Sequence, residues 1–192
     1  MYNQEDLEAL ELFNQKAEVL KNSRFMKSLL EQGSGLTISQ QKDLSFKIEP
    51  KWPDWDAINA FVLTFRFFIQ KKEKSSFRHI AKVYDRLPIS QDKRELFKNA
   101  RRQLNQLLDS RCPIVINGKA PTYDQIMRII IYGQLAHRDE KKKATYDQWM
   151  SHPLLDPLLT NEFISILGHA MGIIAYVQRL NEEVIEELSA KK

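Results

Sequence analysis

The sequence predicts a mainly α-helical fold: a single-domain array of about six or seven helices with a minor β-ribbon. Apolar residues recur at spacings of three and four along most of the chain, which is typical of helices with one buried face. The composition is that of a globular protein, with 43% hydrophobic and 28% charged residues. A chain of 192 residues suits one hydrophobic core, so residues 1–192 are predicted to form a single helical domain.

The N-terminal segment predicts one long helix over residues 3–32. Its leucines and Phe13 recur at helical spacing, and at about 1.5 Å of rise per residue this helix would be about 43 Å long. Gly33 and Gly35 follow and favour its end, because glycine readily adopts the left-handed backbone angles found there.

A change of period after this helix predicts the β-ribbon. Leu44, Phe46 and Ile48 alternate with polar residues, and residues 37–39 are the candidate hairpin partner. A second β candidate at residues 114–116 is followed by an Asn-Gly pair, which is common in tight turns.

Three helices are predicted in the middle of the chain, each opened by a polar residue that can cap free backbone amides. The second helix covers about residues 54–72 and is apolar round most of its circumference, which is typical of a buried helix. A third begins at Ser75 or Ser76 and ends before Pro88, and a fourth covers about residues 90–110.

Three more helices are predicted in the C-terminal part. Residues 122–125 read Thr-Tyr-Asp-Gln, a capping box that opens a fifth helix through about His137. The same four residues recur at 145–148 and predict a short sixth helix. The last helix covers about residues 160–188 and is apolar on nearly every face as far as Val177, so we expect it to pack against the first helix.

The protein is predicted to be cytoplasmic and free of membrane contact. Cys112 is its one cysteine, so no disulfide framework exists. The acidic start lacks the regions of a signal peptide, and the longest uncharged apolar stretch, residues 163–177, is shorter than the roughly 20 residues of a membrane span. The chain has no Gly-rich phosphate loop, dinucleotide fingerprint, nucleophile elbow or cysteine pair, so no cofactor and no metal are predicted.

Positive charge is concentrated in one quarter of the sequence. Residues 66–111 hold 13 Lys or Arg against 5 Asp or Glu. On the third and fourth helices these cations form stripes, and two merged stripes would give a patch that suits phosphates. The candidate nucleic-acid-binding residues are Arg78, Lys82, Arg86, Lys98, Arg101 and Arg102. The alternative is a solvated surface with no ligand.

A dense polar run at the end of the predicted fifth helix supplies the candidate catalytic set: Tyr132, His137 and Arg138. General acid–base chemistry by His137 is one interpretation. The other is a half-buried histidine that anchors the helix end and interacts favourably with the helix dipole. The spacing of His137 from nearby carboxylates matches no standard metal motif.

Arg66 and Arg128 are the candidate residues of an anion or small-ligand cleft. Arg66 lies in the most apolar helix of the first half, where a buried arginine needs a carboxylate or a bound anion as its partner. Further along, Gly168 and Gly172 allow another helix to approach closely. We interpret them as core packing, and His169 as a satisfied core or interface residue.

The preferred function is that of a non-catalytic helical interaction protein, which binds a protein partner or self-associates as a homodimer. The alternative is an RNA-binding protein, with or without ribonuclease activity, that uses the basic region 66–111. The first function needs an exposed apolar strip or a dimer interface that buries on the order of 1,200 Å² or more. The second needs the two basic stripes side by side and uncovered.

Overall fold

A computed structural model describes residues 3–34, 55–112, 120–135 and 157–190. Within these residues the chain forms seven α-helices and no strand, so the predicted mainly helical fold is confirmed. The helices are α1 (Gln4–Lys21), α2 (Arg24–Ser34), α3 (Trp55–Ile69), α4 (Phe77–Arg86), α5 (Gln91–Asp109), α6 (Tyr123–Leu135) and α7 (Pro157–Ser189).

The prediction of one helix over residues 3–32 is wrong, because α1 and α2 are separated at Asn22 and Ser23. Both the backbone N–H and the side-chain amide of Asn22 donate to the Glu18 carbonyl at 3.0 Å. The Ser23 hydroxyl oxygen accepts from the Met26 N–H at 3.3 Å. Polar side chains that bind the backbone locally compete with a continuous helix, and apolar periodicity does not reveal them.

Three of the helix starts predicted from capping residues are confirmed, and the start predicted at residue 54 lies outside the described residues. Ser76 and Ser90 accept hydrogen bonds from amides three residues further on, at 3.2 and 3.3 Å, and so cap α4 and α5. Thr122 and Gln125 form the reciprocal pair of a capping box at α6, with N···O distances of 3.3 and 3.0 Å. The helix predicted at residues 145–148 lies outside the described residues.

The described residues do not support the predicted β-ribbon. Its candidate strands lie outside them, at residues 37–39, 44–48 and 114–116. Arg111 and Thr122 form an isolated antiparallel bridge, next to which the Cys112 N–H donates to the Pro121 carbonyl at 2.8 Å.

Aromatic rings join four helices in the core. Phe13 of α1 packs edge-to-face on Phe68 of α3 and Phe77 of α4, with ring centroids 4.9 and 5.5 Å apart. Phe77 stacks on Phe97 of α5, which stacks on Tyr84 at 4.5 Å. Such pairs contribute about 0.5–1.5 kcal/mol each beyond the area that they bury. All seven helices add residues to one buried apolar cluster, and the single domain over residues 1–192 stays a prediction.

The last helix, α7, packs against α1 and α5, so the expected pairing of the first and last helices is confirmed. Its buried residues recur at helical spacing: Phe163, Leu167, Ala170, Met171, Ile174, Val177, Leu180, Val184 and Leu188. Gln178 donates to Glu18 of α1 at 2.7 Å, and this hydrogen bond is the main reason that the pKa of Glu18 lies below its ordinary value. Lys93 of α5 pairs with Glu187 at 3.0 Å.

A buried chain of hydrogen bonds fixes the register of α7. Asn181 is fully buried, and its side-chain oxygen accepts from the Tyr84 hydroxyl at 2.9 Å. Its side-chain nitrogen donates to Asn14 of α1 at 3.1 Å. Burial raises the pKa of Tyr84 far above its ordinary value, so the phenol stays protonated and remains a donor. One buried amide therefore joins α1, α4 and α7.

Within the described residues, Glu162–Ser189 of α7 is the one stretch long and apolar enough to cross a membrane, by length and composition alone. In its most apolar window, 44% of the residues are buried inside the protein. The core helix of a soluble protein passes the same test, so the stretch is weak evidence for a membrane span.

Tyr84 and Asn181, which share a buried hydrogen bond, are expected to depend on each other for their effect on stability. Tyr84→Phe leaves the Asn181 oxygen without its donor, and Asn181→Leu leaves the Tyr84 hydroxyl without its acceptor. Each change is expected to lower the free energy of unfolding by about 1–3 kcal/mol. The double variant should lose less than the sum of the two single losses. Urea unfolding measures all three, and additive losses would contradict a shared interaction.

Candidate functional site

The six candidate nucleic-acid-binding residues lie on two helices that pack together, α4 and α5. Five of them are exposed, and Arg101 is half-buried. The buried apolar residues of both helices face the core, and the cations lie on the outer sides, as their spacing predicts. Whether each cation is free to bind an anion depends on the protein groups with which it already pairs.

Arg86 is held by the protein itself. Its guanidinium donates to both carboxylate oxygens of Asp6 in the first turn of α1, and only 6% of the Asp6 side chain is exposed. This hydrogen bond is the main reason that the pKa of Arg86 lies above its ordinary value. The pair joins α4 to α1. Loss of Arg86 would leave the buried Asp6 carboxylate without its partner, so Arg86 has a structural role.

Other cations of α5 are also bonded to neighbouring groups. Arg94 donates to two backbone carbonyls at the end of α4, at 3.1 and 2.7 Å. Lys98 pairs with Glu95 at 3.0 Å, and Arg102 donates to Asn99 at 3.1 Å. The Lys98 and Arg102 contacts are weak surface interactions. The Arg94 hydrogen bonds instead satisfy backbone carbonyls at the C-terminal end of α4.

Arg78 and Arg101 line a cavity of about 400 Å³ to which α3, α4, α5 and α6 contribute, and we call it the basic cleft. Its apolar residues are Phe68, Ile69, Phe77, Leu104 and Leu108. Its polar residues are Lys71, Arg78, Arg101, Asn105, Asp109, Asp124 and Arg128. Arg128 pairs with Asp124 at 2.6 Å. The structure thus brings Arg128 together with one cation from each basic stripe.

Arg66 is not among the described residues that line the basic cleft. Its guanidinium lies over the ring of Phe67, 5.0 Å from the centroid, and Lys16 of α1 lies 4.4 Å from the same centroid. The Arg66 Nε is buried and has no hydrogen-bond partner within the described residues. The face of an aromatic ring is thus the contact that Arg66 makes there, and no carboxylate from the described parts of the first or last helix pairs with it.

The candidate catalytic residues lie at the edge of the described chain. Tyr132 falls within α6, but its side chain is outside what the structure describes, as are His137 and Arg138 altogether. This set therefore stays a prediction. Within the described ranges, no group of three or more His, Cys, Asp or Glu side chains could hold a metal ion.

The side of α7 that faces away from the core is open. Ser165, Gly168, Gly172, Tyr176 and Arg179 form one row along it, which we call the open stripe; all but the half-buried Gly168 are exposed. A groove of about 510 Å³ runs over the two glycines, and α2 and α5 contribute to its walls. The residues that line this α7 groove are Leu29, Ala100, Gln103, Ile164, Ser165, Gly168, His169, Gly172, Ile173 and Tyr176.

The interpretation of Gly168 and Gly172 as core packing is wrong for Gly172. A Cβ built on Gly168 would lie 3.5 Å from Leu29 Cδ2, an ordinary contact, whereas no described atom lies within 4 Å of a Cβ on Gly172. His169 is likewise exposed and not a core residue, with its Nδ1 3.5 Å from the Ser165 hydroxyl. The opposite side of α7 fills the core, so these residues face outward.

Sequence reasoning missed Lys71, Asp109 and Asp124 in the basic cleft. Asp124 lies four residues before Arg128, the spacing of a helical ion pair, which could have identified it. Lys71 and Asp109 gave no comparable signal, since only the packing of α3 and of α5 against α6 brings them to the cleft.

No protein-family model matches the chain, and no curated protein or solved structure matches it. Function is therefore inferred from the basic cleft and from the open stripe.

Burial and nearby positive charge both lower the pKa of His79 in α4. Burial of the half-buried ring is the first cause that holds the pKa of His79 below its ordinary value. Repulsion from Arg86, Lys74 and Lys82 adds to this effect, and Asp6 opposes it more weakly.

Lowering the pH is expected to destabilise the protein through His79. Its folded-state pKa lies below the unfolded value of about 6.5. The unfolded chain therefore binds more protons just below that value, and the free energy of unfolding falls as the pH drops from about 7 to about 5. His79→Gln should make the fall shallower, and Lys82→Gln should do so in part. Urea unfolding across this range measures the slopes, and equal slopes in wild type and His79→Gln would contradict the account.

Proposed function

We propose that the protein is a non-catalytic interaction module that self-associates through the open stripe of α7. The observation that carries the proposal is the empty space over Gly172, in an apolar groove with a glycine backbone as part of its floor. Glycine inside a helix costs about 0.5–1 kcal/mol relative to alanine. No contact among the described residues offsets that cost, whereas a second chain lying against the exposed backbone would.

The order of residues on the open stripe favours a second copy of this chain as the partner. From Ser165 to Arg179 the stripe residues are spaced by three, four, four and three positions. The spacing is therefore symmetric about Gly172: the steps are four and then three residues in either direction. An antiparallel pair with its two-fold axis at Gly172 would place Tyr176 of each chain against Gly168 of the other. A large side chain would thereby meet a small one, so the stripe is complementary to itself, as a two-fold interface requires.

Exposed apolar area and charge also support this arrangement. Tyr176 is 44% exposed and Leu30, next to the groove residue Leu29, is 64% exposed. Aromatic side chains that leave water on association commonly dominate the binding energy. In the antiparallel pair, Arg179 of one chain would lie within about one helical turn of Glu162 of the other, so opposite charges would meet.

The RNA-binding alternative stays a prediction, and the described residues support it less. Of its six residues, Arg86 is held by the buried Asp6 carboxylate, whereas Lys98 and Arg102 make only weak surface contacts. The Asp6 pair withdraws Arg86 from a row of successive phosphates, on which non-specific RNA affinity depends. A cytoplasmic location and a catalytic role for His137 likewise stay predictions.

Substitutions that fill the space over Gly172 are expected to weaken dimer formation without lowering the stability of the single chain. Gly172→Trp would place a ring in the α7 groove and is expected to abolish the dimer. Gly172→Ala is expected to weaken the dimer and to raise the free energy of unfolding of the single chain by about 0.5–1 kcal/mol. Sedimentation velocity across the micromolar range measures association, and urea unfolding measures stability.

The matched control is Gln106→Trp, which puts the same side chain on an exposed position of α5 outside the groove. This variant should associate like the wild type. A wild-type protein that remains monomeric at all concentrations, or a Gly172→Trp variant that still forms the dimer, would contradict the proposed function.

A further inference from the structure

We propose that the basic cleft binds a small organic phosphate, a phosphomonoester carried by a hydroxyl-bearing group such as a sugar or a nucleoside. This site is separate from the open stripe. Arg101 and Leu108 of α5 line the basic cleft, whereas Ala100 and Gln103 of the same helix line the α7 groove. The inference therefore does not depend on self-association.

Positive charge dominates the polar residues of the cleft. Four cations face two carboxylates, which leaves a net charge of +2: Lys71, Arg78, Arg101 and Arg128 against Asp109 and Asp124. A phosphomonoester carries about −1.5 to −2 at neutral pH. Its charge therefore matches the excess in the cleft, whereas a singly charged carboxylate would leave part of that excess uncompensated.

Arg101 is the residue that most needs an anion. It is half-buried in the cleft, yet no hydrogen bond or ion pair within the described residues engages its guanidinium. Arg78 of α4 likewise has no such partner there. Two guanidinium groups in one cleft repel each other, and a phosphate between them would replace that repulsion with charge-assisted hydrogen bonds.

Rigid elements carry these groups. Arg78 lies in the first turn of α4, which the Ser76 cap holds in place, and Arg101 lies in the middle of the long helix α5. Arg128 of α6 is oriented by its ion pair with Asp124. Planar guanidinium groups on fixed helices suit a phosphate, because each can donate two parallel hydrogen bonds to its oxygens.

The apolar residues of the cleft indicate that the phosphate is attached to an organic group. Phe68, Phe77 and Leu104 face the cavity, and its volume of about 400 Å³ is within the range of small-molecule sites. Inorganic phosphate would leave most of this space empty. The Asp109 carboxylate and the Asn105 amide are placed in the same cleft to accept from and donate to sugar hydroxyl groups.

Isothermal titration calorimetry of the full chain with AMP, ribose 5-phosphate and adenosine tests the inference. The two phosphates should bind and adenosine should not, because the phosphate makes the charged contacts. Arg78→Gln and Arg101→Gln should each weaken AMP binding by about tenfold to a hundredfold, the effect of losing a charged hydrogen bond. Arg101→Lys should lose less, since it keeps the charge.

Arg102→Gln is the matched control, because Arg102 is an exposed neighbour that does not line the cleft; it should bind AMP like the wild type. Thermal unfolding midpoints establish that each variant is folded. The inference would be overturned if folded wild-type protein bound neither AMP nor ribose 5-phosphate. It would also be overturned if Arg78→Gln and Arg101→Gln both bound AMP with unchanged affinity. Binding of a 5′-hydroxyl oligoribonucleotide but not AMP, weakened by Arg102→Gln, would also overturn it and assign the region to RNA.

Discussion

The packing of α7 against α1 and α5 is the constraint on which the other features of the described structure depend. Asn181 can lie in the dry interior only while it holds both Tyr84 and Asn14, and this requirement fixes the rotation of α7 about its own axis. Nine residues separate Asn181 from Gly172, and at about 100° per residue the two positions lie on opposite sides of the helix. The hydrogen bonds that bury Asn181 therefore also turn the open stripe outward.

Helix α5 separates the two candidate sites. Its Phe97 is buried in the core, while Ala100 and Gln103 line the α7 groove and Arg101 and Leu104 line the basic cleft. The two sites share no described residue, so ligand binding in the cleft and association through α7 can be altered separately. Helix α5 lines both sites and is tied to α7 by Lys93, so a shift of α5 is one route by which they could be coupled.

The structural features that depend on interactions between residues close in sequence could be predicted. The helix starts at Ser76, Ser90 and Thr122 follow from side chains that bond to amides three residues away. The break at Asn22 was missed although residues 21–24 are all polar, because apolar residues resume at Phe25 and were assigned to the same helix. Gly172 was misread because α7 is apolar on so many faces that its sequence does not show which one is covered. The basic cleft could not be predicted, since Arg101 and Arg128 meet only through the packing of α5 on α6.

Spin labels on α7 test most directly the central claim that two chains pair antiparallel through the open stripe. Glu162→Cys and Glu182→Cys, each in a Cys112→Ala background, place single labels ten residues before and after Gly172. Pulsed dipolar spectroscopy should give similar inter-chain distances for both variants, about 30 Å along the helix axis. Short distances in both variants would indicate a parallel pair, and clearly unequal distances would indicate association through another face. Either result, or the absence of any inter-chain distance, would contradict the account.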